Sequence, residues 1–256
     1  MKRSMKPHER QLQIDEMIRR EGELSVETLA HRFDVSMETI RRDLTQLADG
    51  GRVEKVHGGA RRPRLIAEGS FSERLGTEAA AKTRIGRRLA DAVEMNETLF
   101  IDTGSTTLAA AEFLASIPGL TVITNSWRLA ERMDKAGSDA AIYLLGGRYH
   151  GDNAETTGPT AIEQIAAFQA DRAILTVAAI SPEVGAMDAS FEEAQVARAM
   201  IAHARTVTVL ADSSKFGRRA AFSVCLCNEI DLLISDTQLD EAHRTALADM
   251  GVEVWH

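Results

Sequence analysis

Six short apolar runs, rich in β-branched residues, recur after residue 97: TLFID (98–102), LTVIT (120–124), AIYLL (141–145), AILTVA (173–178), TVTVLA (206–211) and DLLIS (231–235). Each is bounded by polar residues and reads as a strand. Helical patterns separate them at 107–116, 126–134, 159–168 and 190–204, and AAAKTRIGRRLADAVE (79–94) precedes the first. Strands that alternate with helices imply a mostly parallel sheet covered on both faces. In such a sheet the segments that follow each strand share one edge, where ligands bind.

The chain has 256 residues and a 44% hydrophobic fraction, enough for one large domain and one small one. No apolar run is long enough to cross a membrane. The basic start, MKRSMKPHERQ, leads into no apolar stretch, so no secretory signal is visible and a cytoplasmic location is expected. The net charge of −8 argues against a uniformly basic coat, but its distribution is uneven: residues 1–64 carry 14 Lys+Arg against 11 Asp+Glu, and the rest carries 16 against 27. A weakly basic first piece on an acidic body suggests a polyanion partner for that piece alone. Cys225 and Cys227, on one face of an expected strand, read as buried free thiols that cannot bridge. No His or Cys cluster suggests a metal site, and no cofactor is expected.

The first piece reads as three helices and a hairpin. The first helix is expected over about Pro7 to Arg20, with Leu12, Met17 and Ile18 among its apolar positions and EGE ending it. Ser25 is a plausible N-cap for the second, with Glu27 in its first turn; Val26, Leu29, Ala30 and Phe33 face inward. DVS (34–36) makes a short turn. Ser36 then caps the third helix, with Glu38 in its first turn, and Ile40, Leu44 and Leu47 form one narrow apolar line. Thr39, Arg41, Arg42 and Thr45 fall off that line. Two helices joined by a tight turn, the second studded with basic groups, form a helix-turn-helix. Its recognition helix enters the major groove, where Arg41 and Arg42 can reach phosphates or guanine edges and Thr39 a base or phosphate. The alternative is a structural bundle with a solvated charged face. GGRVEKVHGGARRPR (50–64) adds glycines that stop the helix, strand-forming Val53 and Val56, a Gly58-Gly59 turn and a cluster of Arg61, Arg62 and Arg64. A basic hairpin beside a recognition helix is a wing suited to phosphates or the minor groove.

The stretch VSMETIRRDLTQLADGGRVEKVHGGA resembles the winged helix-turn-helix of DeoR-type bacterial transcription regulators, and the resemblance continues through nearly the whole chain. It implies a DNA-binding set of Ser36, Glu38, Thr39, Arg41, Arg42, Thr45, Lys55, His57, Arg61 and Arg62. Residues 1–62 are then the DNA-binding domain, 63–78 a linker in which Pro63, Gly69 and Gly76 break any helix, and 79–256 an α/β effector domain.

The segments after the strands are rich in small hydroxyls, glycines and amides. DTGSTT (102–107) feeds a helix, so its backbone N–H groups and dipole can cradle an anion, with Ser105, Thr106 and Thr107 adding hydroxyls. Lys215 in DSSKFG supplies a positive charge. Gly146 and Gly147 allow close approach to the backbone. This is the chemistry of a phosphorylated, polyhydroxylated small molecule. Each piece also has a plain reading: G-S-T-T as a helix cap, Lys215 as a surface lysine, Asp102 as a loop brace, Asp212 as the partner of Lys215.

DTGSTT, TNS, LLGG, ETTG and LADSSKFG resemble the effector-domain motifs of the same regulators, a domain similar in fold to ribose-5-phosphate isomerase, glucosamine-6-phosphate deaminase and CoA-transferases. The resemblance implies a repressor of carbohydrate or polyol catabolism, released by a sugar-phosphate-type effector held by Asp102, Gly104, Ser105, Thr106, Thr107, Thr124, Asn125, Gly146, Gly147, Gly158 and Lys215. Ala178 and Ala179 in TVAAIS stand where many relatives carry glycine, and would narrow one corner. The rivals are a phosphosugar isomerase or deaminase with a DNA-binding appendage, for which Asp102 or Asp212 with Lys215 could be offered as base and acid, a P-loop-like nucleotide site, for which GGRYHGD lacks the G-K-[ST] end, and a DNA-bound scaffold with a vestigial pocket. Operator DNA and a homodimer or homotetramer are the expected partners.

Overall fold

The computed structural model describes residues 5–49, 52–62, 65 and 68–256. The chain divides near Leu65 into two compact units. Gly50, Gly51, Pro63 and Arg64, which the sequence reading used as helix stop, linker break and wing cluster, lie outside the described residues.

The first unit runs α1 (Pro7–Glu21), β1 (Glu23–Ser25), α2 (Val26–Phe33), α3 (Met37–Asp49), β2 (Glu54–Val56) and β3 (Gly59–Arg61). Pro7 starts α1, where its missing N–H costs nothing, and Gly22 at φ 86° ends it. Ser25 Oγ accepts from Thr28 N at 3.0 Å and Ser36 Oγ from Thr39 N at 3.1 Å, so both expected caps form. Asp34 turns the chain in the left-handed region, φ 52°. Ile14, Ile18, Leu29, Ile40, Leu44 and Leu47 are buried in one core. Leu12, expected on the apolar side, is 44% exposed; Ile14 takes that place.

The wing is more than a hairpin. β1 was not foreseen, and it pairs antiparallel with β3, giving a three-stranded sheet in the order β1-β3-β2. Two buried carboxylates tie α1 to the rest. Asp43, inside the RRDL stretch of α3, accepts from Arg10 Nε at 2.6 Å and from Gln11 Nε2 at 3.1 Å. Asp15 accepts from Arg52 Nε at 3.0 Å and Arg19 Nε at 3.1 Å.

The second unit opens with α4 (Phe71–Gly76) and α5 (Ala79–Ala92). The presence of α4 corrects the expectation of a helix-free linker. Ser70 and Glu73 form a reciprocal capping box, and Phe71 is 1% exposed, so a cap and one aromatic anchor outweigh the lack of periodicity. Then follow β4 (Thr98–Ile101), α6 (Ser105–Leu114), β5 (Thr121–Thr124), α7 (Trp127–Lys135), β6 (Ala141–Leu144), β7 (Arg148–His150), β8 (Glu155–Thr157), α8 (Pro159–Ile165), β9 (Ala170–Thr176), β10 (Ala179–Ser181), β11 (Gly185–Asp188), α9 (Phe191–Ala202), β12 (Ala204–Leu210), β13 (Phe222–Cys225), β14 (Leu232–Ile234), α10 (Glu241–Ala248) and β15 (Glu253–Trp255).

All six expected strands lie in one parallel sheet of order β15-β14-β12-β9-β4-β5-β6, with β15 as an unforeseen seventh. Side chains alternate along each strand. Leu99, Ile101 and Ile174 pack with α5, α6 and α7 on one face, while Phe100, Ala173 and Leu175 pack with α8, α9 and Leu247 of α10 on the other. The AILTVA strand stops at Thr176, and Ala179 begins the small antiparallel sheet β10-β11-β13, which the sequence reading missed, as it did the hairpin β7-β8. Cys225 ends β13 but Cys227 lies in a following 3₁₀ turn, so the two do not share a strand; both thiols are free and buried, and burial pushes Cys225 up to about 12.

The chain adds β5 and β6 to one side of β4, then crosses back so that β9 lies on the other side. The β4/β9 junction is therefore the point where strand order reverses, and a crevice opens at the C-terminal ends of its strands.

Candidate functional site

Each unit carries one candidate site. In the first, Ile40, Leu44 and Leu47 are at most 2% exposed, so α3 is held at a fixed height by its inner line. The Arg41 and Arg42 side chains are 58% and 79% exposed, and both lie 3.6 Å from the Glu38 carboxylate. Glu38 thus gathers the two guanidinium groups and answers part of their charge. Thr45 Oγ1 donates to the Arg41 carbonyl at 2.8 Å and accepts from Lys55 Nζ at 3.1 Å, linking α3 to β2 of the wing. His57 and Arg62 are exposed. Arg61 differs from the expectation: Arg61 Nε donates to Glu54 Oε2 at 3.0 Å across the β2-β3 pair, and that bond holds its guanidinium pKa above the usual value. Its charge is already answered, which leaves Arg62 and Lys55 as the wing's outward cations among the described residues.

In the second unit a small cavity lies at the β4/β9 junction. It is lined by Gly104, Ser105 and Thr106 at the start of α6, Thr176–Ala178 at the end of β9, Lys215, Arg74, Glu68, Asp188 and Glu193. Gly104 must be glycine, because a Cβ there would come within 2.2 Å of Thr176 Oγ1. α6 begins without a side-chain cap. Ser105 and Thr106 are buried, and their hydroxyls have no hydrogen-bond partner among the described residues. Four expected residues therefore meet here: Gly104, Ser105, Thr106 and Lys215. Ala178 and Ala179 are buried with Met187 and Ala220, and Ala178 forms one wall, as the substitution for glycine suggested.

The other expected residues brace loops. Asp102 accepts from Thr176 N at 2.8 Å and from its hydroxyl at 3.3 Å; burial drives its carboxyl well above the ordinary range. Thr107 Oγ1 donates to the Asp102 and Gly104 carbonyls at 3.1 and 3.0 Å. Thr124 Oγ1 accepts from Ser126 N at 3.0 Å. Asn125 Nδ2 donates to the Thr156 carbonyl at 3.1 Å, and its Oδ1 accepts from Thr103 Oγ1 at 3.3 Å. Gly146 N donates to Gln164 Oε1 at 2.7 Å. Gly147 has φ 144° and a Cβ there would meet the Thr157 carbonyl at 2.5 Å; Gly158, φ 88°, is the N-cap of α8. These three glycines serve packing and helix entry. Asp212 does not pair with the Lys215 ammonium. It caps its own turn, accepting from Ser214 N at 3.1 Å, while Lys215 Nζ lies 2.8 Å from Glu68 Oε1. Both carboxylates offered as a catalytic base are thus committed to backbone.

Sequence reasoning missed Glu68, Arg74, Asn153, Glu155, Asp188 and Glu193. Arg74 pairs with Glu68 and donates to Asn153 Oδ1 at 2.6 Å; Asn153 Nδ2 donates to Glu155 Oε1 at 2.9 Å and Glu193 Oε1 at 3.2 Å. A signal existed for some of them: Glu155 opens ETTG, and Asp188 and Glu193 flank the Ser190 cap of α9. Lys82 is also buried, and its ammonium closes the end of α4 by donating to the carbonyls of Arg74 and Thr77, the latter at 2.7 Å. Among the described residues no cluster of His, Cys, Asp and Glu could hold a metal, and no helix is long and apolar enough to cross a membrane.

Burial, then the neighbouring Glu155 and Asp188, push Glu193 up to about 9, and burial pushes Glu155 up to about 7. Unfolded, each titrates near 4.5. The folded protein therefore binds more protons between about 4.5 and 9, and stability must fall as pH rises through that window. Wild-type melting temperature is expected to drop between pH 6 and 9, and Glu193→Gln, fixed in the uncharged form, to drop less. Parallel slopes for the two proteins in a pH series of thermal melts would show that Glu193 is already ionised when folded.

Residues 10–64 match the family model of the DeoR-like helix-turn-helix domain, and residues 77–237 that of the DeoR C terminal sensor domain. The chain is 30% identical over 250 residues to the glycerol-3-phosphate regulon repressor of Escherichia coli (98% of this chain, 99% of that one). It is 34% identical over 252 residues to the HTH-type transcriptional repressor GlcR of Bacillus subtilis (98% and 96%). It is 30% identical over 238 residues to the HTH-type transcriptional repressor CsqR of Escherichia coli (93% and 91%). The chain belongs to the DeoR family: it is a DNA-binding transcriptional regulator with a sensor domain, and not an enzyme.

Proposed function

We propose that the protein represses a carbohydrate or polyol catabolic operon and leaves its operator when a phosphorylated sugar or polyol occupies the β4/β9 cavity. The observation that carries this reading is the donor set at the start of α6: an uncapped helix N-terminus, the hydroxyls of the buried residues Ser105 and Thr106, which make no hydrogen bond among the described residues, and the Lys215 ammonium around one space. Such donors suit a phosphate, whose oxygens accept charge-assisted hydrogen bonds from all of them. The name of the glycerol-3-phosphate regulon repressor, a relative along the whole chain, fits the same class. The protein acts as a homodimer or homotetramer, matching two half-sites on DNA. Operator titration followed by fluorescence anisotropy, with a panel of phosphorylated and plain sugars and polyols, tests the reading. Phosphorylated compounds are expected to weaken DNA binding. Release by an unphosphorylated sugar or a nucleotide alone would refute it.

On the DNA side, Arg41→Ala or Arg42→Ala is expected to cost about 1–3 kcal/mol of operator affinity where that arginine reads a guanine. An arginine that only contacts phosphate instead weakens all sequences alike and lowers the salt slope by about one. Arg62→Ala behaves in this second way, and Arg61→Ala less so, because Glu54 already answers its charge. Titrations of operator and random DNA across salt decide. A folded Arg41/Arg42 double alanine variant with unchanged operator affinity would remove α3 from the interface.

A further inference from the structure

We infer that Glu68 is a built-in competitor for the effector's anionic group: its carboxylate occupies the phosphate's place, and a phosphate binds by displacing it. The inference rests on the anion-site reading above. One Glu68 oxygen lies 2.8 Å from Lys215 Nζ and the other on the Arg74 guanidinium. Both cations line the same cavity as Ser105 and Thr106, and all three charged side chains are mostly buried, at 16–18% exposure.

Two features single out Glu68 as the group that leaves the cavity. Of the carboxylates lining it, Asp188 is fixed in β11 and Glu193 in α9, whereas Glu68 stands before exposed Gly69 and Ser70, outside any helix or strand. Glu68 also satisfies only the cations. The Ser105 and Thr106 hydroxyls remain without partners, so a tetrahedral dianion gains contacts that the planar monoanion lacks.

Glu68 therefore sets a threshold. An uncharged sugar cannot replace the Lys215–Glu68–Arg74 contacts, whereas a phosphate dianion brings two charges against one.

Isothermal titration of the full chain with inorganic phosphate and with glycerol 3-phosphate tests this on wild type, Glu68→Gln, Glu68→Ala and the control Glu192→Gln, an exposed carboxylate on α9 that lines no part of the cavity. Both Glu68 variants are expected to bind at least tenfold more tightly than wild type, with the control unchanged. Measurable binding of equal strength in wild type and the Glu68 variants overturns the competitor role and leaves the anion site standing. An equal gain in the control reduces the effect to bulk charge and overturns it too. No binding in any protein overturns the site and the inference with it. Hydrogen exchange on wild type gives a second reading free of mutation: phosphate is expected to speed exchange at residues 68–76. Unchanged or slower exchange there in the phosphate-bound protein overturns the displacement.

Discussion

Replacing Asp43 by alanine is expected to destabilise the N-terminal unit by about 3–5 kcal/mol, the range for removing one partner of a buried ion pair. Asp43 is 3% exposed and Arg10, which it holds at 2.6 Å, is 6% exposed. With the carboxylate gone, a buried guanidinium faces no counter-charge and the Gln11 amide loses one acceptor. Domains are stable by only about 5–15 kcal/mol, so the loss is a large share of the whole. A double variant, Arg10→Met with Asp43→Leu, is expected to recover much of it, because an apolar pair of similar volume often equals a buried ion pair. Urea melts followed by circular dichroism measure both. A loss under about 1 kcal/mol for Asp43→Ala would mean that the pair relaxes into solvent and does not clamp α1 to α3. In the RRDL stretch, Arg41 and Arg42 turn outward and Asp43 turns inward, so one four-residue run carries both an exposed positive charge and the anchor beneath it.

The parts legible in the sequence were those decided locally. The expected strands inside the parallel sheet are largely buried on both faces, so each reads as a continuous apolar run whatever its neighbours, and the edge strand β6, mostly exposed, is spelled in the same apolar residues. The caps Ser25 and Ser36 act within three residues. The illegible parts depend on distant pairing. β1 is three residues long and exists because β3 returns to it from 59–61. The sheet β10-β11-β13 joins Ala186 to Cys225 across the chain. Within the site, Ser105, Thr106 and Lys215 were legible because the ends of parallel strands converge on one edge. Asp102, Thr124 and Asn125 are of the same residue types, but nearby backbone N–H groups and carbonyls claim their side chains, and nothing in their spelling separates a brace from a ligand contact. Glu68 and Arg74 were illegible for a third reason. Only the fold of α4 and the stretch before it brings Glu68 to Lys215, 147 positions further on.

Lys215→Ala is expected to move the effector dose for operator release upward by roughly 10- to 100-fold, from about 1.5–3 kcal/mol for a hydrogen bond to a charged group. The Lys215 side chain is 18% exposed, so water screens the lost charge only in part. Arg74, on the other side of Glu68, remains as a second cation and keeps the loss finite. Ser105→Ala is expected to do less, since the backbone N–H groups of α6 stay in place. Neither substitution touches α3 or the wing, so operator affinity without effector is expected to match wild type. Binding moves the equilibrium between DNA-bound and released forms only through its different affinity for the two, so weaker binding to the released form demands more ligand and leaves the starting point alone. Lys215→Arg keeps the charge with a longer, planar head and is expected to fall between wild type and alanine. Anisotropy titrations of operator against a responsive phosphosugar, run in parallel on the four proteins, give the order wild type, Lys215→Arg, Lys215→Ala in rising dose, with Ser105→Ala near wild type. A wild-type dose response from Lys215→Ala would remove Lys215 from the effector site and leave the α6 terminus and Arg74 as its only cationic end.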